Sequence, residues 1–161
     1  MTGAAGGAGE LFASLGSLKD VTGIVGSFVF TEDGRLVGRE IPALFDDVSL
    51  AEASGRLTRL RETFAAVGDR LDVAVVRFRD HKLYLKALGG GMLCIVAEGS
   101  VNMPALRMAA NLVGRRILPT LERAALEPVA PAPEPSPVAA APKAAGVAPP
   151  GMRRFRGRSV E

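Results

Sequence analysis

FVFTEDGRLVGRE, residues 28–40, decides how the rest of the chain is read. An apolar run enters it, an acidic pair and a glycine interrupt it, and a more polar run leaves it. Three kinds of loop share that outline: a metal loop, a phosphate loop and a hairpin turn. A calcium loop of the EF-hand kind spreads oxygen ligands over about 12 residues, whereas only Glu32 and Asp33 precede the glycine here. A phosphate loop needs a glycine-rich run opening a helix, with Lys-Ser/Thr behind it. Neither GGAG at 6–9 nor GGG at 89–91 has that sequel. The hairpin reading needs nothing more than is present. Ile24 to Phe30 is β-branched and aromatic, Asp33 tolerates tight-turn geometry, and Gly34 can take the positive φ a hairpin requires. Arg35 to Glu40 leaves as a polar second strand suited to a sheet edge, and Pro42, with no N–H to donate, ends it.

Working outward, Leu11, Phe12, Leu15 and Leu18 recur at helical spacing and predict a short first helix that stops near Asp20. After the hairpin, Ser49 with Glu52 three residues on matches a capping box. Leu50, Ala53, Leu57, Leu60, Phe64 and Val67 then form a heptad-like apolar stripe along a long helix that ends at Gly68. The spacing fits packing on the domain's own sheet, or in part a seam against a second copy. LDVAVVRFR (71–79) is the third strand, Asp80-His81 a two-residue turn, and KLYLKAL (82–88) the fourth strand. This fourth strand alternates, predicting one face toward solvent or a partner. MLCIVA (92–97) is apolar throughout and predicts a central strand covered on both faces. A last helix opens at Asn102 or Met103, with Pro104 suited to its first turn, and a kink is expected near Pro119.

The predicted fold class is α+β: a five-stranded, mostly antiparallel sheet sandwiched between the long central helix and two terminal helices. It occupies residues 10–125. Residues 1–9, rich in Gly and Ala, are expected to be disordered. So is a Pro/Ala-rich linker over 126–151, which ends in a basic tip over 152–161. Residues 127–161 carry five basic residues against three acidic ones, most of the chain's net charge of +3. Arg153, Arg154, Phe155, Arg156 and Arg158 of the tip are therefore candidates for binding an acidic partner, RNA or anionic lipid.

Catalytic chemistry is not legible in the sequence. The one histidine, His81, falls at a predicted hairpin tip, and the one cysteine, Cys94, falls in an apolar run with nothing to stabilise a thiolate. No acid–base pair, nucleophile or metal cluster results, so the expectation is a binding module, not an enzyme, with no cofactor and no metal. No disulfide within the chain is possible. The N-terminus lacks the basic start and apolar run of a signal peptide, and no run approaches a membrane span, so a cytoplasmic location is expected.

The stretches LKDVTGIVGSFVFTEDGRLVGREIP, VSLAEASGRLTRL and LDVAVVRFRDHKLYLKALGGGMLCIVAEGS, with a closing helix, resemble the roadblock/dynein-light-chain domain over roughly residues 9–125. The order of elements, Gly34 and the glycine-rich turn carry the likeness. Phe28 to Phe30 is more aromatic than the family's pattern, and Met103-Pro104-Ala105 replaces a Leu-Gly-like helix start. The resemblance implies a longin- or profilin-like sheet that dimerises, as a homodimer or with a related domain, through the long helix and the third strand. By analogy Leu57, Leu60, Phe64, Leu71, Val73 and Val75 lie in or near that seam. Bacterial and archaeal members often bind Ras-like small GTPases and sometimes stimulate them; eukaryotic relatives serve dynein and lysosomal signalling complexes. The function implied is a dimeric adaptor that regulates such a GTPase, with Arg35, Arg39, Arg77 and Arg79 as arginine-finger candidates by exposure. A purely structural dimerisation module in a signalling or motility complex, and a tail-mediated binder of nucleic acid or anionic surfaces, are the alternatives.

Overall fold

A computed structural model of the chain describes residues 4–128. The linker and the basic tip fall at or beyond the end of that range. The elements run α1 (Ala4–Gly16), a 3-10 turn (Ser17–Asp20), β1 (Ile24–Thr31), β2 (Leu36–Glu40), α2 (Asp47–Ala66), β3 (Val73–Phe78), β4 (His81–Leu88), β5 (Gly91–Glu98) and α3 (Met103–Leu126). The five strands form one sheet in the order β2-β1-β5-β4-β3, and every neighbouring pair is antiparallel. α1 and α3 cover one face and α2 the other. The α+β sandwich expected from the sequence is the observed architecture.

Each face has its own core. Leu11, Leu15 and Leu18 meet Leu106, Val113 and Ile117 of α3 over Val29, Tyr84, Leu93 and Ile95 of the sheet. On the other face Leu50 of α2 packs with Phe28, Phe30, Leu85, Met92 and Cys94. Central β5 contributes to both clusters and is buried from Gly91 to Ala97, as its unbroken apolar run predicts. Gly91 is required there, because a Cβ would drive into the Phe30 carbonyl oxygen on the neighbouring strand.

The opening stretch is a hairpin with a three-residue loop. Thr31 N–H donates to the Arg35 carbonyl at 2.9 Å and Gly34 N–H to the Thr31 carbonyl at 2.9 Å, with Gly34 at φ +86°. This is the turn-plus-αL-glycine geometry that closes such loops. The acidic pair serves as clasps. Asp33 accepts from the Thr31 hydroxyl and from Arg35 Nε (2.9 Å), and Glu32 pairs with Arg61 of α2 at 2.9 Å.

Four local expectations need correction. α1 begins at Ala4, inside the nine residues expected to be disordered. The α2 cap is Asp46, three residues ahead of Ser49; its carboxylate accepts from Ser49 N–H at 2.7 Å. Asp46 and Ser49 are both good caps, and the earlier one wins because it adds almost a full turn of helix. The β3–β4 turn is Arg79-Asp80, with Arg79 at φ +48°, and His81 lies in β4, stacked on Phe78. Finally, β4 is not polar on one face. Tyr84 is 2% exposed and Lys82 only 9%. The Lys86 stem lies against Gly114 of α3, so long amphipathic side chains cover the apolar sheet where a helix approaches closely.

The helix ends follow the sequence. Gly68 N–H donates to Ala65 O at 3.1 Å and Asp69 N–H to Phe64 O at 3.0 Å, with Gly68 at φ +82°, a Schellman closure of α2. Asn102 caps α3 through its side chain, which accepts from Ala105 N–H at 3.1 Å. Pro119 lies within α3, which continues past it to Leu126.

Candidate interaction surface

The two edges of the sheet differ in kind. β2 is five residues long, and charges tie it to its surroundings: Glu40 pairs with Lys19, and Arg39 pairs with Asp47 at 2.9 Å. β3 presents VAVVRF, with Val73, Val75, Val76 and Phe78 between 39% and 44% exposed. An apolar edge with a free row of backbone donors and acceptors is a ready template for another strand.

The outer part of α2 is uncovered as well. Leu50 and Ser54 are buried, and Ser54 donates to the Leu50 carbonyl of its own helix at 2.7 Å, which satisfies the buried hydroxyl. Further along, Leu57 only edges the second core, and Leu60 and Phe64 are each 37% exposed. Val67 is 75% exposed. Positions 50, 54, 57, 58 and 61 face the sheet as Leu, Ser, Leu, Thr and Arg, whereas every residue from Glu62 to Ala66 is exposed, so the last turns of α2 stand uncovered.

The residues that the resemblance assigns to the seam therefore fall into three groups. Leu57 and Leu71 are partly buried at the rim of the α2-side core. Leu60 and Phe64 stand on the uncovered helix face. Val73 and Val75 pair with Lys86 and Tyr84, which places them on the α1/α3 face of β3, opposite to α2. The β3 residues on the α2 face are Ala74, Val76 and Phe78, since Ala74 pairs with Leu85 and Val76 with Leu83 of that cluster. Val76 and Phe78 were not singled out from the sequence. Strand alternation in LDVAVVRFR separates the two faces but does not say which one α2 covers.

Among the other candidates, Arg35 is bound into the domain, with Nη2 donating to the Ala124 carbonyl at 2.8 Å and the Glu127 carbonyl at 3.3 Å. Arg39 donates to the Phe45 carbonyl at 3.1 Å besides its pair with Asp47. Arg77 and Arg79 are exposed and make no ion pair among the described residues. Cys94 is fully enclosed, and burial pushes its thiol well above the ordinary range. No cluster of His, Cys, Asp and Glu able to hold a metal occurs among the described residues. No described helix is long and apolar enough to cross a membrane. Arg153, Arg154, Phe155, Arg156 and Arg158 lie outside the described residues.

No family model and no curated protein matches the sequence. Solved structures do match the fold. A Roadblock/LC7 domain from Streptomyces avermitilis superposes with a TM-score of 0.60 at 15% identity, over 68% of this chain and 96% of that one. Myxococcus xanthus MglB gives 0.64 at 13% identity, covering 76% and 94%. The gliding protein MglB of Thermus thermophilus gives 0.63 at 12% identity, covering 76% and 95%. At these identities the likeness is one of architecture, and on it the chain has the Roadblock/LC7 fold.

Proposed function

We propose that this chain is a non-catalytic, self-associating adaptor that binds a Ras-like small GTPase and biases its conformational state. The carrying observation is the pairing of an unblunted apolar edge, β3, with the uncovered α2 stripe Leu60-Phe64-Val67. Joining two β3 edges would satisfy their free backbone groups and bring apolar helix faces together, giving one sheet of twice the width. An MglB solved in a tetrameric arrangement supports assembly of this fold. The GTPase reading rests on the family resemblance, whose bacterial members bind such proteins. The mechanism is positional: the joined surface holds switch segments in a hydrolysis-competent or hydrolysis-incompetent arrangement. Of the four candidate arginines, Arg77 and Arg79 are the two with no ion pair among the described residues, and they are the ones proposed to reach a partner's nucleotide.

Molar mass in solution tests the first half; a monomer at micromolar concentration removes the platform and the mechanism with it. Nucleotide turnover of a Ras-like GTPase from the same genome, measured with and without the full chain, tests the second. Stable binding with unchanged turnover would leave a purely structural scaffold.

A further inference from the structure

The α1/α3 face of the sheet is not covered to its edge. α3 packs mainly over β1, β5 and β4, leaving Val73 and Val75 of β3 open at 44% and 39% exposure. Cations line the trough between α3 and that edge. Lys82 and Lys86 rise from β4 and Arg77 from β3, all on this face by register with Tyr84 and its neighbours. Arg107 is close enough to Tyr84 for its charge to act on the phenol, and Arg115 lines a hollow of about 270 Å³ together with Lys86, Asn111 and Gly114. A second hollow of about 140 Å³ lies at the other end, between Arg77, Arg79, His81 and Lys82. None of Arg77, Lys82, Lys86, Arg107 and Arg115 has an ion-pair partner among the described residues. Carboxylates stand at the two ends, Glu122 beside Gly89 and both Asp80 and Glu98 beside His81.

Unpaired cations around an aliphatic floor select their partner. A bilayer surface cannot reach Lys82, which is 9% exposed in a concavity. Nucleic acid gains from aromatic platforms, and the one aromatic on this part of the face, Tyr84, is 2% exposed. A peptide that alternates carboxylates with aliphatic side chains matches both the walls and the floor. We propose that this trough is a docking site for an acidic, aliphatic segment of a partner protein. The segment's carboxylates engage Lys86, Arg107 and Arg115, and its aliphatic side chains cover Val73 and Val75. The site belongs to a single copy of the chain and stands whether or not two β3 edges join.

Fluorescence anisotropy on the full chain tests it, with a short labelled peptide of alternating Glu and Leu and an analogue carrying Gln for Glu. The Glu peptide should bind, more weakly as salt rises, and the Gln analogue should not. K86E and R115E should each weaken binding roughly tenfold, whereas R56E, the same charge change on α2, should leave it nearly unchanged; circular dichroism confirms that all three fold. Absence of binding overturns the proposal, as does equal weakening by all three variants. Loss of single-stranded DNA or phosphatidylglycerol-vesicle binding in K86E and R115E, with peptide binding untouched, overturns it in favour of another ligand class.

Discussion

Asp33 shows how one side chain fixes a turn and couples it to pH. The Thr31 hydroxyl first, and then Arg35, hold its carboxyl below the ordinary range. A folded pKa below the unfolded one contributes stability above the unfolded value, and that contribution is lost as pH falls through the folded value. The destabilisation caused by D33N, measured by urea unfolding, should therefore be largest near neutrality and shrink below about pH 4. Glycines give a sharper contrast. A Cβ at Gly91 meets the Phe30 carbonyl, which belongs to the backbone and cannot move aside, whereas a Cβ at Gly55 in α2 meets nothing within 4 Å. G91A should cost about 3 kcal/mol or more, and G55A should stabilise by roughly 0.5–1 kcal/mol, the helix propensity difference. Equal effects in the same unfolding experiment would contradict the placement of both.

α2 and β3 are each half-used by their own domain. The helix spends Leu50, Ser54 and Leu57 on the sheet and leaves Leu60, Phe64 and Val67 outside; β3 is paired along one edge only. F64D should therefore shift a self-associated species toward monomer in light scattering, with little loss of secondary structure, because its side chain is 37% exposed. V76K should act in the same direction by placing a charge on the α2 face of the edge. If both variants keep the wild-type mass, the seam lies elsewhere. Both residues matter to this test, but only Phe64 was apparent as a seam candidate from the sequence. The apolar run of β3 identifies a strand, and the covering of one of its faces depends on where a helix some ten residues away comes to rest.

The molecule is held together by two cores that share β5. Leu93, fully buried on the α1/α3 side, should cost about 2–5 kcal/mol on truncation to alanine. If the chain self-associates, stability is also linked to concentration, and the melting temperature should rise as protein is added. A melting temperature independent of concentration, with a constant monomer mass, would separate fold stability from assembly.

Local chemistry in the sequence determined the elements and their order: the Glu32-Asp33-Gly34 turn, the Gly68 and Asn102 helix ends, the central position of MLCIVA and the edge character of β2. These depend on backbone geometry and periodicity within a few residues, so they are readable along the chain. Only the tertiary structure decided that Asp46 caps α2, that Tyr84 and Lys82 are covered, and that Val73 and Val75 face away from α2. It alone gathered Lys82, Lys86, Arg107 and Arg115 around one trough. Those facts depend on which surfaces meet across the sheet, a relation between residues far apart in sequence that period and propensity do not encode.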